Sequence, residues 1–160
     1  MLSIKVICVG KLKEKFWTDA AAEYTKRLSA YCRLEIEELP ETRLPANPSA
    51  AEIDAALAKE GAGIALRVPQ GALTIALCVE GKELDSEQLS KFTELCASQG
   101  KSRLCYIIGG SFGLHEGVKK ASALRLSMSK MTFPHHLARV MLLEQLYRGF
   151  KISEGAKYHK

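Results

Sequence analysis

The sequence predicts a single α/β domain spanning residues 1–160, a mainly parallel sheet with helices on both faces. Three observations carry that expectation. Strand-like apolar runs alternate with helical patterns almost without exception, and strand–helix alternation is the signature of parallel strands joined by crossovers. The run Leu73–Val79 (LTIALCV) is apolar throughout, as suits a strand covered on both sides. No repeat, low-complexity tract or long linker divides the 160 residues, a length that supports one real core.

Each element has its own warrant. Ser3–Val9 (SIKVICV) is rich in β-branched residues and reads as a buried strand that Gly10 ends. Phe16, Ala20, Tyr24 and Leu28 recur every four residues and form one apolar helical face. Leu34, Ile36 and Leu39 mark a half-buried or edge strand. The three prolines of Pro40–Pro48 make a loop. Ser49 with Glu52 is a capping box for a helix continued by Ile53, Leu57 and Ala58. After the central strand, Glu80-Gly81-Lys82 reads as a turn. Ser86 then caps a helix carrying Leu89, Phe92, Leu95 and Cys96 on one side, which Gly100 closes. Arg103–Ile108 (RLCYII) is the next strand. His115–Ala123 is a short helix or turn, and Leu124, Leu126 and Met128 alternate as in a last strand. Ser129–His136 is a loop, and Leu137–Phe150 a strong amphipathic helix. A short polar tail follows.

Composition narrows the function classes. No apolar run is long enough to span a bilayer, and the first ten residues lack the features of a signal peptide. The five cysteines include no CxxC pair, which speaks against a zinc site and fits reduced, mostly buried thiols in a cytoplasmic protein. The formal charge of +5 is unevenly spread. Residues 1–100 hold 12 basic and 15 acidic side chains, whereas residues 101–160 hold 11 and 3. A basic C-terminal part fits a polyanionic partner, nucleic acid first, or simply a solvated face.

The segment CYIIGGSFGL (residues 105–114) raises the question of a ligand. In open α/β sheets ligands sit beyond the carboxyl ends of strands, and Gly109 and Gly110 lie at such an end. Glycine allows close approach to the backbone. The GGxxG spacing is neither the dinucleotide fingerprint nor a phosphate-binding P-loop, so a tight strand-to-helix turn is the competing account. The Leu77–Gly81 strand end and the loop from Ser129 to Pro134 reach the same edge. Together they describe a cleft with apolar walls and exposed backbone groups, which suits an adenine-type ligand.

The segments IIGGSFGL, LSMSKMTFPHHLARVMLLEQLYRGFKI and the terminal YHK resemble the ribosomal RNA large subunit methyltransferase H family. VICVGKLKEKFWTDAAAEYTKRL and LCVEGKELDS fit it too, so the likeness covers essentially the whole chain. The chain departs from the family pattern at Ser111, Lys157 and Lys160. The resemblance implies a SPOUT-type fold with a C-terminal trefoil knot. It implies an S-adenosylmethionine-dependent enzyme that methylates N3 of a pseudouridine in 23S ribosomal RNA, acting as a homodimer on the large subunit or whole ribosome. Its cofactor pocket falls on Leu77, Cys78, Gly109, Gly110, Ser129, Lys130, Met131, Thr132, Phe133 and Pro134.

Within that frame the candidate catalytic residues are His135, Arg139, Tyr158 and His159. His135 stands at the pocket rim, to contact the base or accept its proton, or to cap the helix. Arg139 lies one turn on, for a phosphate or an anionic base, or in a surface ion pair. Glu144 calls for a partner, and Arg148 is the natural one. The resemblance suggests that the tail folds over the active site, with Tyr158 stacking on the base and His159 touching it. Lys119, Lys120, Arg125, Arg148, Lys151 and Lys160 are the candidate RNA contacts. His136 reads as surface and Trp17 as core or edge packing. The wide apolar surface of the last helix suggests burial by a second subunit. Alternatives are a SPOUT enzyme for another ribosomal or transfer RNA site, or a non-catalytic RNA- or ribosome-binding module.

Overall fold

The computed structural model describes all residues from Met1 to Lys160. Five strands and five helices alternate: β1 (Ser3–Val9), α1 (Lys15–Leu28), β2 (Arg33–Leu39), α2 (Ala50–Ala65), β3 (Leu73–Glu83), α3 (Ser86–Ser98), β4 (Arg103–Ile108), α4 (Glu116–Ala121), β5 (Leu124–Ser127) and α5 (His135–Ser153). The strands form one sheet in the order β2-β1-β4-β3-β5, and all four pairings are parallel. The α/β class with a parallel sheet is therefore the fold.

Side-chain alternation along the strands sorts the core into two layers. Ile4, Val6 and Cys8 of β1 join Leu104, Tyr106 and Ile108 of β4 on the face covered by α1, α3 and α5. Ile7 and Val9, with Cys105 and Ile107, point to the face covered by α2 and α4. Helix α5 packs against both α1 and α3, with Leu142, Leu143 and Leu146 buried in the chain's own core. Val140 and Met141 on the same helix stay half-buried and outside that core cluster.

Local signals mostly hold. Ser49 and Glu52 form the reciprocal capping box of α2. The cap of α3 is Asp85, one residue ahead of Ser86, in a box with Gln88. Helix α5 begins at His135 rather than Leu137 and runs to Ser153. Phe16 and Leu95 were expected on inner helical faces but are 63% and 54% exposed. The anticipated turn at Glu80–Lys82 lies within β3. Leu77 and Lys82 both pair with Leu126, so residues 78–81 stand out of the ladder where the register slips. A Cβ on Gly81 would come within 2.8 Å of the Arg125 backbone, so only glycine lets β3 pass β5 this closely. No helix is long and apolar enough to cross a membrane.

Candidate active site

The carboxyl ends of β3, β4 and β5 open on one cleft of about 640 Å³, closed on its far side by the loop before α5 and that helix's first turn. Strand β3 supplies Leu77, Cys78, Val79 and Glu80. The turn after β4 supplies Gly109 through Leu114, and β5 with its following loop supplies Leu126, Met128, Ser129 and Met131 to Pro134. Nine of the ten residues expected at a cofactor pocket line this hollow; Lys130 is exposed and does not.

The glycines owe their bareness to the turn itself. A Cβ on Gly109 would lie 2.4 Å from the Gly113 carbonyl oxygen. The turn closes through a Gly113 N–H to Gly110 O bond of 3.1 Å. On Gly110 a Cβ would meet the Glu41 carboxylate at 2.7 Å. Glu41 Oε1 accepts the Ser111 backbone N–H at 2.7 Å, tying the loop after β2 to the glycine turn. Sequence reading overlooked Glu41. The signal was its place just past the carboxyl end of β2, the same edge on which every parallel strand ends.

His135 lies on Gly10, which has φ +102° and whose absent Cβ would sit 2.8 Å from the imidazole Cε1. Its Nδ1 is buried without a hydrogen-bond partner. Burial, then the neighbouring His136, pushes the imidazole below its ordinary pKa, which keeps His135 neutral near pH 7. His136 is half-buried in the cleft wall rather than on the surface. Its ring lies 4.6 Å from that of His135 and 5.3 Å, edge-on, from that of Trp17.

Arg139 is not at the surface. It is 3% exposed, donates to Glu38 Oε2 at 2.8 Å and to the Gly10 carbonyl at 3.2 Å, and clamps the ends of β1 and β2 to α5. Its own side chain is buried even though Glu38 is partly exposed, which leaves no exposed guanidinium for a phosphate. Lys119 lines the cleft but is held by Glu80 and, at 3.4 Å, by Glu116. Burial pulls its ammonium down, yet the bonds to the two carboxylates outweigh it and the pKa ends raised. Arg125 pairs with Glu116 at 3.4 Å, Arg148 with Glu144 at 2.6 Å and Lys151 with Glu154 at 2.5 Å. Of the six candidate RNA contacts, Lys120 and Lys160 are exposed and outside any ion pair.

The tail packs on the far end of α5. Tyr158 Oη donates to Glu144 at 3.2 Å, its ring meets Tyr147 at 5.1 Å, and the Arg148 guanidinium lies 4.8 Å from it. His159 Nδ1 contacts Arg148 at 3.2 Å. Glu144 lies nine residues beyond His135, about 14 Å along the helix, and neither Tyr158 nor His159 lines the cleft. Tyr158 and His159 are therefore not brought to the cleft of their own chain.

Comparison with known proteins points one way. A family model described as "Predicted SPOUT methyltransferase" matches residues 2–159. A protein of Clostridium botulinum (strain Alaska E43 / Type E3) named "Ribosomal RNA large subunit methyltransferase H" is 50% identical over 159 residues, covering 99% of this chain and all of that one. Its namesake from Bacillus cytotoxicus is 46% identical with the same coverage. A solved structure described as "Crystal Structure of Probable Methyltransferase from Bordetella pertussis Tohama I" superposes with a TM-score of 0.55 at 15% identity, over 92% of this chain and 96% of that one. That last likeness bears on the fold alone.

Proposed function

Because this chain belongs to the SPOUT methyltransferase family, and to the ribosomal RNA large subunit methyltransferase H group within it, we propose that it methylates N3 of a pseudouridine in 23S ribosomal RNA. S-adenosylmethionine is the donor, the assembled large subunit or ribosome the substrate, and the cytoplasm the setting. The observation that carries this reading is the cleft, where three strand ends and the Met131–Pro134 loop converge on one hollow.

Its walls fit such a donor. The volume falls within the range of small-molecule sites, roughly 300–1,000 Å³. Leu77, Leu126, Met128 and Phe133 offer apolar surface for an adenine, and the turns after β4 and β5 offer backbone groups for the polar parts. When bound, the donor supplies an electrophilic methyl group on a sulfonium.

The protein's work is then alignment and proton handling. Gly109 to Gly113 and Ser129 to Pro134 hold the donor's place and exclude water. Neutral His135, braced on Gly10, contacts the incoming base and takes the N3 proton directly or through a water. Arg139 acts at one remove, by fixing Gly10 under the imidazole. Tyr158 and His159 serve the cleft of a second copy, a reading supported by their distance from their own. This makes the working unit a homodimer. Lys120 and Lys160, free of ion pairs, contact RNA phosphates. A C-terminal trefoil knot, which the family implies, is part of this reading.

The test is methylation of ribosomes from a strain lacking this protein, read by mass spectrometry of the RNA digest. The expected result is one pseudouridine gaining a methyl group, dependent on S-adenosylmethionine. No gain, or gain at another nucleotide, overturns the assignment.

A further inference from the structure

Four rings form a continuous row from solvent to the cleft wall. Phe16 lies 5.1 Å from Trp17, Trp17 lies 5.3 Å from His136, and His136 lies 4.6 Å from His135. The two histidines line the cleft, and the outer end, Phe16, is 63% exposed. Such separations suit stacked or edge-on aromatic pairs, so the row is one connected surface. Neither helix pattern nor core packing accounts for an exposed Phe at its end.

From this row we infer a stacking platform for the nucleotides that flank the target base, an inference that rests on the RNA-methylating reading above. Single-stranded RNA is held by bases stacked on aromatic rings beside cations that follow the phosphates. Both components are present. The segment between Gly10 and Phe16 carries Lys11, Lys13, Lys15 and one acid, Glu14. Lys11 and Lys13 are exposed and in no ion pair, whereas Lys15 pairs with Asp19. That segment leaves β1 at Gly10, directly under His135. Phosphates on the lysines would therefore set a neighbouring base over Phe16 while the target base enters beside His135. The exposed large apolar residues Val79, Phe112 and Met131 also stand in the cleft wall, to which Phe16 is linked through Trp17 and His136. A second copy of the chain is the competing occupant, but Phe16 stands among exposed lysines, and charged residues are depleted at the core of a dimer interface.

Trp17 is the chain's one tryptophan, so selectively excited tryptophan fluorescence reports on this row alone. Titration of the full-length protein with a single-stranded oligoribonucleotide should quench it, in a salt-dependent manner. Phe16→Ala, at an exposed position, should raise KM for ribosomes by roughly 10-fold, since one base–aromatic stack accounts for about that factor or more, with S-adenosylmethionine affinity unchanged. Lys11→Glu with Lys13→Glu should raise the same KM and flatten its salt dependence. Unchanged KM in both variants with no quenching overturns the platform. Dissociation of a dimer by Phe16→Ala, seen by sedimentation, overturns it in favour of the second copy. Absence of methyl transfer by the wild-type protein would instead sink the proposed reaction, while the quenching titration would still decide the RNA surface.

Discussion

Replacing Arg139 and Glu38 tests whether a buried ion pair, rather than an RNA contact, explains the arginine. The Arg139 side chain is 4% exposed and that of Glu38 33%, at 2.8 Å. Breaking a buried pair from one side costs about 3–5 kcal/mol, because the survivor is left uncompensated. The two survivors here differ. After Arg139→Met, Glu38 keeps the Leu12 N–H at 3.2 Å and can rehydrate, so the loss should fall to about 2 kcal/mol. After Glu38→Ala, Arg139 keeps only the Gly10 carbonyl, so the full cost of about 3–5 kcal/mol applies. The double variant should resemble Arg139→Met alone, giving a coupling energy of about 3–5 kcal/mol. With a urea m-value near 2 kcal/mol/M, the midpoints should drop by roughly 1 M for Arg139→Met and 2 M for Glu38→Ala at fixed protomer concentration. Equal or reversed costs, or a coupling below about 0.5 kcal/mol, would refute the reasoning. So would an Arg139→Met protein of native stability that had lost ribosome binding alone.

Other consequences are simpler to read. Gly109→Ala forces a Cβ to 2.4 Å from Gly113 O, which no side-chain shift can relieve; calorimetry should show S-adenosylmethionine affinity falling at least about tenfold, the equivalent of 1.4 kcal/mol. Glu41→Gln should weaken the same binding less, since an amide oxygen can still accept from Ser111. His135 has a folded-state pKa below its unfolded value of 6.5, so the unfolded chain binds the proton first. Stability should be complete above the ordinary imidazole range and fall as pH drops from about 6.5 toward the lowered folded value; His135→Gln should flatten denaturation profiles in that window. Burial pushes the Cys8 and Cys105 thiols up to about 11, whereas Cys78 is half-buried in the cleft. Alkylation should therefore mark Cys78 first, and S-adenosylmethionine should protect it.

Much of this was legible from local pattern. The apolar runs of β1 and β4 and the Ser49–Glu52 box declare themselves because their causes are short-range. The convergence of Leu77, Gly109 and the Met131–Pro134 loop followed from strand direction alone. The purpose of the glycines did not, because Gly113 and Glu41 meet them only after folding. Arg139 looked like a surface residue because helical spacing says nothing of the two strand ends that cover it. Glu80 and Lys119 are 39 residues apart, and nothing local joins them. Trp17 and His136 are likewise brought together only by the docking of α1 against α5.

The cleft draws its walls from segments starting at Leu77 and reaching Ala138, so it has a place in biosynthesis as well as in space. A nascent chain can assemble β1 to β4 while its final stretch is still inside the ribosomal tunnel. It cannot enclose a methyl donor until β5 and the start of α5 have emerged and docked. Competence therefore arrives only near the end of translation, and a product truncated ahead of Met131 would lack both the donor's enclosing loop and the helix that covers one face of its sheet.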